Sequence, residues 1–108
     1  MAVRAHLICK HGALVEAIKP REAAYSSGDW DISEEDARRL VHGTLYFHQA
    51  KATRSYFGGT VTGYEMVETE NKKSLRVRFF LTATQEAKGV PWQGRDDDMA
   101  WFSGVIAG

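Results

Sequence analysis

Four histidines and a single cysteine carry most of the chemistry open to this chain. The spacing His6-x-x-Cys9-x-His11 invites a metal centre, but a structural zinc takes four ligands and a catalytic one three in fixed geometry, a count these residues barely reach. In an extended segment His6 and Cys9 point to opposite faces, so structural or surface histidines are expected, with no bound metal. Cys9 could become a nucleophile if His6, His11 or His48 drew off its proton; the expected role is that of a buried small hydrophobe. The triplet Asp96-Asp97-Asp98 lacks the spaced ligands of a calcium loop and reads as a solvated turn. No dinucleotide fingerprint, phosphate loop or G-x-S-x-G elbow occurs. No cofactor is therefore expected, and no catalytic signature marks the chain as an enzyme.

A richer constellation runs from His48 to Glu65, HQAKATRSYFGGTVTGYE. A strand ends at His48, Lys51 and Arg54 stand in the connection, and Tyr56-Phe57-Gly58-Gly59 leads onward. Flat π faces stack on bases, cations meet phosphate or carboxylate, and glycine lets a ligand approach the backbone. The plainer alternative is that Tyr56 and Phe57 plug the end of a barrel while Gly58 and Gly59 form a bulge. A second aromatic loop sets Trp92 between Pro91 and Gly94, followed by Arg95 and the acidic triplet. Trp30 follows the turn-forming run Tyr25-Ser26-Ser27-Gly28-Asp29 and poses the same choice between core and binding face.

The elements that must position these groups are strands and one clear helix. Val3 to Cys9 reads as a first strand, and Ala13 to Ile18 as a short helix or a second extended segment. In DISEEDARRLVHG, Ser33 caps the amide of Asp36 while Glu34, Glu35 and Asp36 oppose the positive helix terminus. Ile32 and Ala37 are placed for a hydrophobic staple, Ala37, Leu40 and Val41 form an apolar face, and Gly43 suits a left-handed exit after His42. Strands are expected at Thr44 to His48, Thr60 to Glu68 and Ser74 to Thr84, the last with Leu75, Val77, Phe79 and Leu81 on one face and Arg76 and Arg78 on the other. Glu70 to Lys73 joins two of them as a hairpin. Met99 to Ile106, which carries Trp101, is placed to close the sheet on an early strand.

With 108 residues, 44% of them hydrophobic, the chain is expected to be one domain with one core. Its fourteen basic and fourteen acidic side chains cancel, so no long-range positive field draws in nucleic acid non-specifically. The lone cysteine excludes an internal disulfide and favours a reducing, cytoplasmic compartment. Arg4, His6, Lys10 and His11 interrupt the amino-terminal apolar stretch, so it is expected to belong to the fold rather than to a leader or membrane span.

The order of first strand, capped helix, LYFHQAK strand, FGGTVTGYE strand and RVRFFLTAT strand resembles the pseudo-barrels of the PUA-like superfamily, which includes ASCH, EVE and YTH domains; Gly43 to Glu68 is the stretch that matches. The resemblance implies an α+β fold, a small, mainly antiparallel, barrel-like domain over residues 1–108 with one or two short helices. It also implies an aromatic pocket for a base, with Trp30, Tyr56, Trp92 and Trp101 as cage walls. The neutral charge departs from many RNA-binding members and argues against a broad nucleic-acid surface.

The expectation is a recognition module in which His48, Lys51, Arg54, Tyr56 and Phe57, with Trp30 and Trp92, bind a nucleotide, modified base or nucleic acid by stacking and ionic anchoring. Two rivals stand beside it. One is a small hydrolase or nuclease using His48 with Glu65 or an aspartate of the triplet. The other is an interaction domain whose exposed aromatics form a homodimer seam.

Overall fold

A computed structural model describes residues 3–12, 14–68, 75–94 and 100–107. The expected hairpin connection at Glu70 to Lys73, the residues Arg95 and Met99 and the triplet Asp96 to Asp98 lie outside the described residues. The described chain forms one mixed seven-stranded sheet and one α-helix. The strands are β1 (Val3–Ile8), β2 (Val15–Lys19), β3 (Ala24–Trp30), β4 (Thr44–His48), β5 (Phe57–Glu68), β6 (Leu75–Ala83) and β7 (Ile106–Ala107); the helix α1 is Glu34–Leu40. The sheet order is β2-β3-β6-β5-β4-β1-β7. All pairings are antiparallel except β1 with β4, which run parallel with α1 in the crossover between them.

Alternation on the strands builds the core. Ala5 and Leu7 on β1, Leu45 and Phe47 on β4, Val61 on β5 and Val77, Phe79 and Leu81 on β6 are buried on one side of the sheet. Each of the larger ones contributes roughly 1.5–3 kcal/mol by burial. The helix has only seven residues, too few to be stable alone, and is held by burying Ala37 and Leu40 in that core. Its start is as the sequence dictates: the Ser33 side chain accepts from the Asp36 amide at 3.1 Å. Its end is not. The left-handed residue is His42, with φ of 71°, and the helix stops at Leu40. Gly43 serves a close approach instead, because a Cβ there would lie 2.5 Å from the Val3 carbonyl oxygen.

Three further expectations change. Residues 25–29 are not a loop: β3 is paired with β2 on one side and β6 on the other, and Trp30 ends it as a buried residue. The small residues there answer to crowding. A Cβ on Gly28 would sit 3.0 Å from Arg78 Cα, and the buried Ser27 hydroxyl accepts from the Trp30 indole at 2.9 Å. Of the segment Ala13 to Ile18, readable as helix or strand, Ala13 lies outside the described residues and Val15 to Ile18 belong to β2, a strand at the sheet edge with Ile18 exposed. Phe57, Gly58 and Gly59 belong to β5, whose register shift falls between Val61 and Gly63 rather than at the glycine pair. A Cβ at Gly58 would meet the Leu45 carbonyl, and one at Gly59 the Thr82 carbonyl.

The sheet does not close into a barrel. The carboxyl-terminal segment does pair with an early strand, Val3 opposite Ala107 and Arg4 opposite Ile106, but β7 then forms one edge and β2 the other. A two-residue strand offers too short a ladder to draw the far edge around.

Candidate functional site

The second side of β1 and β4 is polar and aromatic. Because side chains alternate across a strand, the register that places Ala5, Leu7, Leu45 and Phe47 in the core turns Arg4 and His6, Tyr46 and His48 to the other side. The parallel pairing sets His6 beside Tyr46 and Ile8 beside His48. The rings of His6 and Tyr46 stack with centroids 4.7 Å apart. His6 and His48 are both fully buried, and His6 Nδ1 stands 2.8 Å from His48 Nε2.

A strap formed by residues 85–94 covers this face. Gly58 lets it approach, since a Cβ there would come within 2.8 Å of Ala87 Cβ. Ser55, itself buried, fastens it: the hydroxyl donates to the Ala87 carbonyl at 2.6 Å and accepts from the Val90 amide at 2.9 Å. The Ser55 backbone pairs with Gly89 and Val90, and Arg54 Nη1 donates to the Gly89 carbonyl at 2.9 Å. Arg4 ties the far end through Gln93 at 2.7 Å. The strap thereby carries Trp92 onto the histidine pair, its ring edge-on to His48 at 5.2 Å and tilted to His6 at 5.6 Å.

The hydrogen bonds assign the protons. His48 Nδ1 lies 2.9 Å from the Thr53 carbonyl oxygen, which only accepts, so this nitrogen carries a hydrogen. The turn that aims that carbonyl is fixed by Thr53, whose hydroxyl donates to the Ala50 carbonyl at 2.9 Å. Burial lowers the His48 pKa, opposed by the Thr53 hydrogen bond. With His48 neutral, its Nε2 is a lone pair and His6 Nδ1 must donate to it. His6 is held neutral too: burial first, then His48 and Arg4, lower its pKa to about 4. Its Nε2 is therefore an acceptor. Among the described residues it is the buried side-chain polar atom with no hydrogen-bond partner.

This arrangement suits hydrogen-bond acceptance better than proton abstraction. A general base works best with a pKa near the operating pH, and His6 lies well below it. Nor does His48 meet Glu65, which pairs with Arg78 at 3.3 Å. Among the described residues no three His, Cys, Asp or Glu side chains stand together as metal ligands. Cys9 is buried within the hydrophobic core.

Of the residues singled out from sequence, His48 and Trp92 converge here, and Lys51 and Arg54 occupy the loop that holds His48. The others lie elsewhere. Trp30 stacks on Trp101 at 5.6 Å, with Trp101 at the surface. Phe57 packs on Phe47 and Tyr25. Tyr56 donates its hydroxyl to the Cys9 carbonyl and accepts from the Gly12 amide; burial above all, and then Cys9, push its pKa up to about 12. Sequence reasoning placed neither His6 nor Tyr46 in the site. The available signal was alternation, which gives both strands a second face of ring-bearing residues opposite Ala5, Leu7, Leu45 and Phe47.

One groove, of about 250 Å³, lies away from this cluster between β2, β3 and β6, lined by Val15, Glu16, Ser26, Gly28, Asp29 and Arg78. Asp29 and Glu65 already engage the Arg78 guanidinium, at 3.2 and 3.3 Å. It contains none of the residues expected from sequence, and a satisfied ion pair gives a ligand little to complete. No helix among the described residues is long and apolar enough to cross a membrane. No family model, curated protein or solved structure matches this chain.

Proposed function

We propose that this domain is a PUA-like recognition module that binds a nucleotide or modified base at the face formed by His6, Tyr46, His48 and Trp92. The observation that carries it is a buried imidazole lone pair, the Nε2 of His6, set among three aromatic rings. Such surroundings favour a flat ligand that stacks while offering a hydrogen bond. Lys51 and Arg54, on the loop that also supplies the Thr53 carbonyl, would anchor an anionic group such as a phosphate. Neutral net charge fits a local pocket rather than a long nucleic-acid track. The PUA-like assignment draws support from the capped helix crossing between parallel β1 and β4, followed by antiparallel β5 and β6.

The test is a fluorescence titration of the folded chain with nucleotides, modified nucleosides and short oligonucleotides, repeated with Trp92→Ala. Saturable binding that weakens by about 1–3 kcal/mol in the variant supports the proposal; binding that ignores the substitution removes it.

A further inference from the structure

A lone pair sealed away from water without a donor is costly, and structures rarely leave one so. Here it is oriented with care. Thr53 fixes His48, His48 fixes His6, and the outcome at the end of the chain is an acceptor rather than a donor. The lone pair lies in the imidazole plane, so its partner must arrive edge-on, and because His6 is fully buried it can arrive only when the cover formed by residues 85–94 yields.

Resting on the recognition proposal above, we infer that His6 Nε2 selects the ligand by its hydrogen-bond polarity: the site takes an uncharged heteroaromatic with an N–H donor on its edge and rejects the same ring without that N–H. An amino group or ring N–H of a nucleobase meets this description. A ring presenting only acceptors sets lone pair against lone pair, and one whose donor is replaced by methyl groups puts carbon against nitrogen. A site built to make a hydrogen bond discriminates against a ligand lacking it more strongly than an apolar pocket discriminates by size. His48 is a positioning residue in this scheme, since its role is to set the tautomer of His6.

The experiment pairs ligands of equal π surface: adenosine with N6,N6-dimethyladenosine, cytidine with N4,N4-dimethylcytidine, and uridine with N3-methyluridine, each titrated into the full chain. The donor-bearing member of a binding pair should bind about tenfold or more tightly than its methylated partner, and His6→Phe should erase that difference while the ring still stacks. Equal affinity within every binding pair overturns the inference and leaves the recognition proposal standing. Absence of binding by any member, with the protein folded, overturns both. Nitrogen-15 NMR of the histidine side chains tests the polarity in the unsubstituted protein. A proton on His6 Nδ1 with a bare Nε2 is expected, and a proton on Nε2 overturns the inference whatever the titrations show.

Discussion

His6 and His48 face each other across two parallel strands with Nδ1 and Nε2 2.8 Å apart, both rings buried and, among the described residues, neither meeting a carboxylate. Each imidazole carries one proton, His6 donating its own to His48 and His48 donating its own to the Thr53 carbonyl, so both rings stay neutral. That neutrality has a consequence for stability.

In an unfolded chain His6 titrates near 6.5, and in the fold at about 4. Between these values the unfolded chain holds a proton that the folded chain does not, so stability is lost as pH falls from about 6.5 toward 4 and loses nothing more from this group below that. His48, lowered by burial, acts in the same direction. Arg4 stands beside the pair and its charge also disfavours protonation of His6. Denaturant unfolding of wild type and His6→Phe at pH 7 and pH 4.5 checks this: the variant should lose much less stability on acidification, and equal losses would place the sensitivity elsewhere.

Ser55 holds the strap that carries Trp92. Ser55→Ala leaves the Ala87 carbonyl and the Val90 amide without their side-chain partner, at a cost of about 1–3 kcal/mol. Amide exchange should quicken at Val90 and its neighbours while β6 stays protected, and ligand affinity should fall without any change to a residue of the ring cluster.

Tyr56 joins the first strand's exit to the loop before β5. Tyr56→Phe strips the Cys9 carbonyl and the Gly12 amide of a shared partner and should destabilise the domain by about 1–3 kcal/mol. With its pKa at about 12, the phenol stays protonated at neutral pH, so the loss should be the same at pH 6 and pH 8. Denaturation midpoints at the two values measure it.

Local signals in the sequence reached the elements whose determinants are local. Ser33 with Glu34 to Asp36 marks the helix start, and the alternation through Val77, Phe79 and Leu81 marks β6. They failed where a residue answers to a distant neighbour. Gly28 and Ser27 look like turn residues but sit in β3, Gly28 close against Arg78 and Ser27 accepting from the Trp30 indole, and Gly58 looks like a bulge but makes room for the Leu45 carbonyl and Ala87. The candidate site was legible in part for the same reason. His48, Trp92 and their basic loop are close in kind to a binding surface, whereas His6 lies 42 positions from His48 and becomes its partner only through a parallel pairing that α1 permits. Trp30, open in the sequence between core and binding face, is buried and stacks on the exposed Trp101, which the resemblance also made a cage wall.

On the proposal above, binding at the ring cluster brings a ligand against the edge of His6. The most direct measurement of this is histidine side-chain NMR recorded while a nucleoside that quenches tryptophan fluorescence is added. The His6 and His48 signals should shift and saturate with the same affinity as the quenching, and both responses should weaken together in Trp92→Ala. Quenching that saturates while the His6 and His48 signals stay fixed would place the ligand elsewhere and contradict the account.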